Sequence, residues 1–205
     1  MKRGLYIITD ETLSVGCSHI YIAKKALLGG AKIIQLRDKQ KSGEELFVIA
    51  QEIRSLCIQN NAMFIVNDRL DIALAAKANG VHLGQDDLPL IAARKLAPRP
   101  FIIGVSVGSV EEAVMAEKDG ADYIGVGPVY PTGTKADAGP VVGPELIRII
   151  KKEVGIPIVA IGGINLSNAG DVIAAGADWI AVISAVICSP DIAAASRKFV
   201  DLINL

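Results

Sequence analysis

Short runs rich in valine, isoleucine and leucine alternate along the chain with longer segments whose apolar residues recur on one helical face. The runs fall at residues 5–10, 33–39, 63–68, 81–85, 101–107, 123–129, 156–163 and 179–186. Most are nearly continuous in apolar residues rather than alternating. Strands covered on both faces, as in a parallel sheet with helices outside, read this way. The segments between them carry helix-start signals. Ser42 is followed three residues on by Glu45, and Ser109 by Glu112, the spacing of a capping box. Pro144 suits a first turn, Asn165 or Ser167 precedes a seventh helix, and Ser189-Pro190 precedes an eighth. Gly30-Ala31, Gly120-Ala121 and Gly176-Ala177 each stand between a helix and a strand, with Asn79-Gly80-Val81 as a looser copy. Glycine there is expected to end the helix in a left-handed conformation. Eight strand–helix units in 205 residues predict a single (β/α)8 TIM barrel, one domain over residues 1–205. A doubly wound open sheet is the alternative, but it normally uses fewer strands at this length, and no GxGxxG follows the first run.

Composition narrows the function classes. The chain is 51% hydrophobic and 4% aromatic, with 21 basic and 22 acidic residues and a net charge of −1. No basic surplus points to nucleic acid or an anionic membrane. The apolar run near the N-terminus is too short for a signal peptide or a membrane helix, so a cytoplasmic location is expected. Cys17, Cys57 and Cys188 are odd in number and far apart, without disulfide-framework or zinc spacing. A homo-oligomer is compatible with the chain, which is silent on oligomeric state.

In a barrel, polar groups at strand C-termini converge on one face, so those ends are where chemistry is sought. Gln35, Arg37 and Lys39 alternate with Leu36 and Asp38 and share one side of an extended strand. Two cations there suit a polyanion such as diphosphate, where an isolated pair would merely form surface salt bridges. Asn67-Asp68 and Asp86-Asp87 end neighbouring strands and suit a hard cation such as Mg2+; the bland alternative for each aspartate is a helix cap, and the chain alone leaves Asp86 or Asp87 open. Ser106 ends the fifth run. Thr132-Gly133-Thr134-Lys135 follows the sixth and offers hydroxyls, backbone N–H groups and a charge to an anion. Gly162-Gly163 and Ile183-Ser184 are a phosphate-binding candidate after strands seven and eight, though a bare Gly-Gly is often only a turn. His82 reads as a satisfied core histidine and His19 as a surface residue opening a helix.

These residues resemble the thiamine phosphate synthase family along essentially the whole chain. The motifs are Gln35-Leu36-Arg37-Asp38-Lys39, Val66-Asn67-Asp68-Arg69, Gly80 through Pro89, Gly104-Val105-Ser106, Gly125 through Lys135, Ala160 through Ile164, and Val182-Ile183-Ser184-Ala185. The resemblance implies a (β/α)8 barrel and one Mg2+ ion per subunit. It implies that an aminopyrimidinylmethyl diphosphate is joined to a thiazole carrying a phosphoethyl arm, with release of diphosphate. It implies that Arg37, Lys39, Asn67 and Lys135 contact the diphosphate, and that Gln35, Leu36, Asp38 and Ser106 belong with them to the pyrimidine diphosphate site. Asp68 and Asp87 are implied as metal ligands. Thr132, Gly133, Thr134, Gly163, Ile183 and Ser184 are implied to hold the thiazole phosphate. The chain departs from the family pattern in having Asp38 where Glu is common and Tyr130 where Phe is common, and neither change removes a charge contact. A thiazole tautomerase-like isomerase is the rival on the same barrel. By resemblance it uses a histidine just after the fifth strand, where this chain has Ser106-Val107-Gly108-Ser109. A second rival is a barrel that only binds a phosphorylated metabolite.

Overall fold

The computed structural model describes residues 3–14, 16–134 and 139–204. Strands β1 (Gly4–Thr9), β2 (Ile33–Leu36), β3 (Met63–Asn67), β4 (Gly80–Leu83), β5 (Ile102–Val107), β6 (Tyr123–Val126), β7 (Ile158–Ile161) and β8 (Trp179–Val182) pair in parallel in chain order. β8 closes on β1, with Gly4 opposite Trp179 and Ile7 opposite Val182. The result is the closed eight-stranded barrel that the run pattern predicts. The helices are α1 (His19–Leu28), α2 (Gly43–Gln59), α3 (Leu70–Ala75), α4 (Leu90–Leu96), α5 (Val110–Lys118), α6 (Gly143–Glu153), α7 (Ala169–Ala174), α8 (Ser184–Ile187) and α9 (Ile192–Ile203).

Two apolar layers explain why the runs look continuous. One face of the strands packs against the helices through residues such as Ile7, Ile34, Phe64, Val81, Ile103 and Ile124, all fully buried. Burying each large side chain of this kind contributes about 1.5–3 kcal/mol relative to exposure. The other face fills the barrel interior with Tyr6, Ile8, Ile33, Ile65, Tyr123, Val159 and Trp179. With both faces apolar, a strand has no polar alternation to show.

Local chemistry fixes the helix ends. Ser42 closes the expected capping box with Glu45 at the start of α2, and the Ser109 hydroxyl accepts the Glu112 N–H at the start of α5. Gly30, Gly120 and Gly176 take φ of 97°, 95° and 106°. The alanine after each donates its N–H back five residues, from Ala31 to Ala26, Ala121 to Ala116 and Ala177 to Val172. The fourth copy differs from the reading above. Lys77, at φ 54°, takes the left-handed position, and Ala78 bonds Ala73. Gly80 lies inside β4, where a Cβ would come within 2.2 Å of the Ile102 carbonyl oxygen.

At the N-terminal rim, side chains just before the strands cap their neighbours. Asp122 accepts the Ile103 N–H at 2.8 Å, Asp178 that of Ile158 at 2.9 Å and Asn79 that of Phe64 at 2.9 Å. This face serves stability.

The C-terminal ends depart most from the sequence reading. β2 stops at Leu36 rather than 39, β6 at Val126 rather than 129, and β7 at Ile161 rather than 163. The run 179–186 splits into β8 and the helical turn α8, because Val186 and Ile187 are buried against the core by a helix as well as by a strand. Neither Asn165 nor Ser167 caps α7. Asn168 stands at that position, and the Asn165 side chain instead accepts the Ser167 N–H. Asp191 caps α9 by accepting the Ala194 N–H, two residues beyond Ser189.

Candidate active site

The C-terminal mouth of the barrel opens into a cavity of about 760 Å3, well within the range of small-molecule sites. Gln35, Arg37, Lys39, Asn67, Asp68, Asp87 and Ser106 line it from β2 to β5. Thr132, Gly133, Thr134, Gly163, Ile183 and Ser184 line it from the segments after β6, β7 and β8. Lys135 lies outside the described residues.

Two members of the Gln35–Lys39 run are not brought to the cavity. Leu36 is buried in the layer between sheet and helices. Asp38 turns toward α1, where its Oδ2 lies 3.0 Å from His19 Nε2, while its Oδ1 accepts the Gln40 and Lys41 N–H groups. The two-residue period of extended chain is the cause: Gln35, Arg37 and Lys39 face in, and their neighbours face out.

His19 corrects the surface reading. It is fully buried, with Nδ1 2.7 Å from Thr9 Oγ1 and Nε2 on Asp38. Glu11 joins this cluster by accepting the His19 N–H and pairing with Lys41 at 2.8 Å. Glu11, His19 and Asp38 are close enough together to hold a metal ion. Their donor atoms are, however, already engaged with one another and with Lys41, Thr9 and three backbone N–H groups. The cluster ties the segment after β1 to the segment after β2. Arg37 is held in the same region, with Nη1 3.2 Å from Asp10 Oδ2. Burial pushes the Asp38 carboxyl up, but the bonds from His19, Gln40 and Lys41 outweigh it and hold the group below its ordinary range.

Asp68 and Asp87 approach the cavity from adjacent strands. Asp68 has φ 61°, a left-handed conformation uncommon outside glycine. The Arg69 N–H donates to the Asn67 carbonyl across it at 2.7 Å, forming a tight, strained turn. Asp87 is half-buried and uses one carboxylate oxygen to accept the Gly84 N–H at 2.6 Å, whereas Asp86 is exposed. Both lie on the cavity wall, so position does not exclude Asp86.

On the opposite side, Gly162 and Gly163 have φ of 98° and 66°. A Cβ on Gly162 would meet Pro128 at 2.6 Å, and one on Gly163 would meet the Pro131 oxygen at 2.6 Å. These glycines therefore let the segment after β7 lie directly against the segment after β6. Asn168 holds the turn by donating to the Gly163 carbonyl at 3.0 Å and accepting the Asn165 N–H at 2.8 Å. The Tyr130 hydroxyl reaches the Asn168 carbonyl at 3.4 Å, and the Thr134 hydroxyl lies 3.5 Å from that of Ser184.

Sequence reasoning missed Tyr6, Tyr123, Gln85 and Asn168. Gln85 donates to the Ser106 carbonyl at 2.6 Å. Tyr6 and Tyr123 carry hydroxyls inside otherwise apolar strands, the one signal that could have flagged them. His82 is hydrogen-bonded through both ring nitrogens, to Tyr123 and Ser106, as a satisfied histidine would be, but it is half-buried and lines the cavity rather than the core.

A family model described as thiamine monophosphate synthase matches residues 5–186. A thiamine-phosphate synthase of Methanospirillum hungatei is 80% identical over 202 residues, covering 98% of each chain. One from Methanocella arvoryzae is 55% identical over 204 residues, covering 100% of this chain and 96% of that one. A solved thiamine phosphate pyrophosphorylase from Pyrococcus furiosus superposes with a TM-score of 0.92 at 45% identity, covering 98% of this chain and 95% of its own.

Proposed function

The chain belongs to the thiamine monophosphate synthase family, and on that premise we propose which residues of the cavity carry the reaction. The protein is a transferase of thiamine biosynthesis that forms thiamine phosphate. One observation carries the proposal: the two groups of polar residues line opposite sides of one cavity. Two anionic substrates that must meet fit such a partition.

In this reading the pyrimidine diphosphate occupies the side built by β2 to β5. Arg37 and Lys39 neutralise the diphosphate, Asn67 and Ser106 position it, and Gln35 lines the pyrimidine end. Lys135 joins the cations by family pattern. The thiazole phosphate occupies the other side, against Thr132, Gly133, Thr134, Gly163, Ile183 and Ser184. Backbone N–H groups and hydroxyls are suitable donors for it, and barrel enzymes frequently hold a phosphate after strands seven and eight.

Mg2+ is the cation the donor set fits. Asp68 and Asp87 offer hard carboxylate oxygens, and a site shared with substrate phosphate and water needs few protein ligands. Asp87 spends one oxygen on Gly84, and its other oxygen makes no hydrogen bond among the described residues. The strained turn at Asp68 is the kind of backbone outlier found where a side chain must be aimed. When bound, the ion offsets charge accumulating on the departing diphosphate.

The chemistry is a dissociative displacement. The carbon–oxygen bond to diphosphate breaks, with both electrons leaving on oxygen, and the aminopyrimidine ring stabilises the methylene cation. The thiazole nitrogen lone pair then forms the new carbon–nitrogen bond. This path needs a neutralised leaving group and two aligned reactants rather than a general base. A cavity walled by cations, hydroxyls and amides, with its histidine already committed to two hydrogen bonds, suits it. The setting we infer is cytoplasmic; no helix among the described residues is long and apolar enough to cross a membrane.

Incubating the protein with both substrates, with and without Mg2+, tests the proposal. Thiamine phosphate and diphosphate are expected in equal amounts and only with the ion. Lys135→Ala is expected to lower turnover sharply with an unchanged thermal midpoint. Equal turnover in that variant would remove Lys135 from the leaving-group site.

A further inference from the structure

We propose that Tyr123 is a positioning residue which, with Tyr6 and His82, fixes the direction of the Ser106 hydroxyl, so that its proton is offered into the cavity. The inference rests on the reading of this side of the cavity as the pyrimidine diphosphate side. Five side chains from five strands form one line across the barrel. Gln35 Nε2 donates to Tyr6 Oη at 2.7 Å, and Tyr6 Oη lies 3.1 Å from Tyr123 Oη. Tyr123 Oη lies 2.9 Å from His82 Nδ1, and His82 Nε2 lies 2.9 Å from Ser106 Oγ. All five line the cavity.

Counting protons gives the line a direction. An amide nitrogen only donates, so the Tyr6 oxygen accepts from Gln35 and the Tyr6 proton turns to Tyr123. Tyr123 then gives its own proton to His82 Nδ1. A neutral imidazole with Nδ1 accepting carries its proton on Nε2, aimed at Ser106. Ser106 accepts it, and the serine proton is left for a ligand. The two tyrosines keep the protons this count requires. Burial raises both hydroxyls above their ordinary values, although at Tyr6 the bonds to Tyr123 and Gln35 work the other way.

The strands are built around this line. Gly104 sits between His82 and Tyr123 in the sheet register, and Gly125 sits beside Ser106. A Cβ on Gly104 would fall 2.0 Å from the Tyr123 ring, and one on Gly125 would fall 3.0 Å from the His82 ring. Glycine in a strand interior sacrifices packing and usually marks a close approach. Here it vacates the space that the two rings occupy. A donor fixed in advance need not reorient when substrate binds, and polarised chains strengthen each link.

The test begins with ring-nitrogen NMR on the full-length wild-type protein without substrates near neutral pH. The chain has two histidines, so the spectrum of a His82→Gln variant assigns the signals. His82 is expected as the neutral tautomer with its proton on Nε2. A proton on Nδ1, or a doubly protonated ring, means a reversed or broken line and overturns the proposal. Kinetics follow. In Tyr123→Phe, kcat/KM for the pyrimidine diphosphate is expected to fall about tenfold, the size of one lost positioning bond, with KM for the thiazole phosphate moving less than about twofold. In a Ser106→Ala background the same change is expected to cost almost nothing, since the hydroxyl it aims is gone. An equal loss in both backgrounds, or an equal rise in both KM values, assigns Tyr123 a merely structural role and overturns the proposal. The NMR experiment uses no substrate. If the wild-type enzyme ignores the pyrimidine diphosphate, the substrate reading fails while the spectrum still decides the hydrogen-bond line.

Discussion

Gly133 and Gly163 look alike in the sequence, two loop glycines beside a candidate phosphate, yet alanine should be costly at Gly163 and nearly neutral at Gly133. At Gly163 the backbone is left-handed, φ 66°, which costs a residue with a Cβ roughly 1–2 kcal/mol. The added Cβ would also fall 2.6 Å from the Pro131 oxygen, 2.7 Å from Tyr130 Cβ and 2.8 Å from the Tyr130 oxygen. Two of these three atoms are backbone and cannot swing aside, so overpacking adds about 1–3 kcal/mol. The sum, about 2–5 kcal/mol, corresponds to a thermal midpoint lowered by roughly 4–20 °C for a chain of this size. If the loop yields instead, it moves the donors proposed for the thiazole phosphate, and KM for that substrate rises several-fold. At Gly133 φ is not left-handed, and a Cβ would meet nothing within 4 Å. Gly133→Ala should leave the midpoint within about 2 °C of wild type. Thermal melts by circular dichroism and initial rates against thiazole phosphate concentration read both effects. A Gly163→Ala protein with wild-type midpoint and KM would refute the reasoning, as would a Gly133→Ala protein as unstable as Gly163→Ala.

Other substitutions test the remaining joints of the site. Asn168→Ala removes the bonds to Gly163 and Asn165 and should raise KM for the thiazole phosphate more than it changes KM for the pyrimidine diphosphate, as read from initial rates. Arg37→Ala should lower turnover at least about a hundredfold if the guanidinium stabilises the departing diphosphate, with the melt little changed. At Glu11 and Asp38, burial favours the neutral acids, but their hydrogen bonds and nearby cations outweigh it and hold both carboxyls low. Groups lowered in the folded state stabilise above the ordinary carboxylate range and lose that contribution as pH falls through their folded values. Melts between about pH 7 and about pH 3 should therefore show a shallower acid decline in Asp38→Asn than in wild type. Burial pushes the Cys57 thiol up to about 12, so a thiol reagent at mildly alkaline pH should label Cys57 only after denaturant is added.

What the sequence displays depends on how far apart the interacting residues lie. The helix-to-strand turns at the N-terminal rim are built from bonds spanning five residues, such as Ala31 to Ala26 and Ala121 to Ala116, so they show as a Gly-Ala repeat. Even there the backbone requirement, not the letter, recurs, since Lys77 fills the position glycine holds elsewhere. Capping pairs such as Ser42 with Glu45 are equally local and equally legible. The strand count is legible because most strands are largely apolar on both faces, but that sameness hides where a strand stops. Residues 183–186 read as more strand, although Val186 and Ile187 bury themselves as a helical turn.

The mouth of the barrel obeys a different logic. Alternation along residues 35–39 is enough to separate Gln35, Arg37 and Lys39 from Leu36 and Asp38, because strand geometry alone dictates it. His19 could not be placed the same way. A histidine opening a helix is ordinarily wet, and this one is dry only because Thr9 and Asp38, on two different strand ends, supply both its partners. The line through Tyr6 and Tyr123 joins residues 117 positions apart, and each tyrosine taken singly is one more large residue in an apolar strand. Gly104 and Gly125 carry the complementary trace: unneeded by any turn, they mark where something bulky from a neighbouring strand must fit. These two glycines thus disclose that a large side chain lies across the sheet without saying which one, and only the register of β4, β5 and β6 brings Gly104 against Tyr123 and Gly125 against His82.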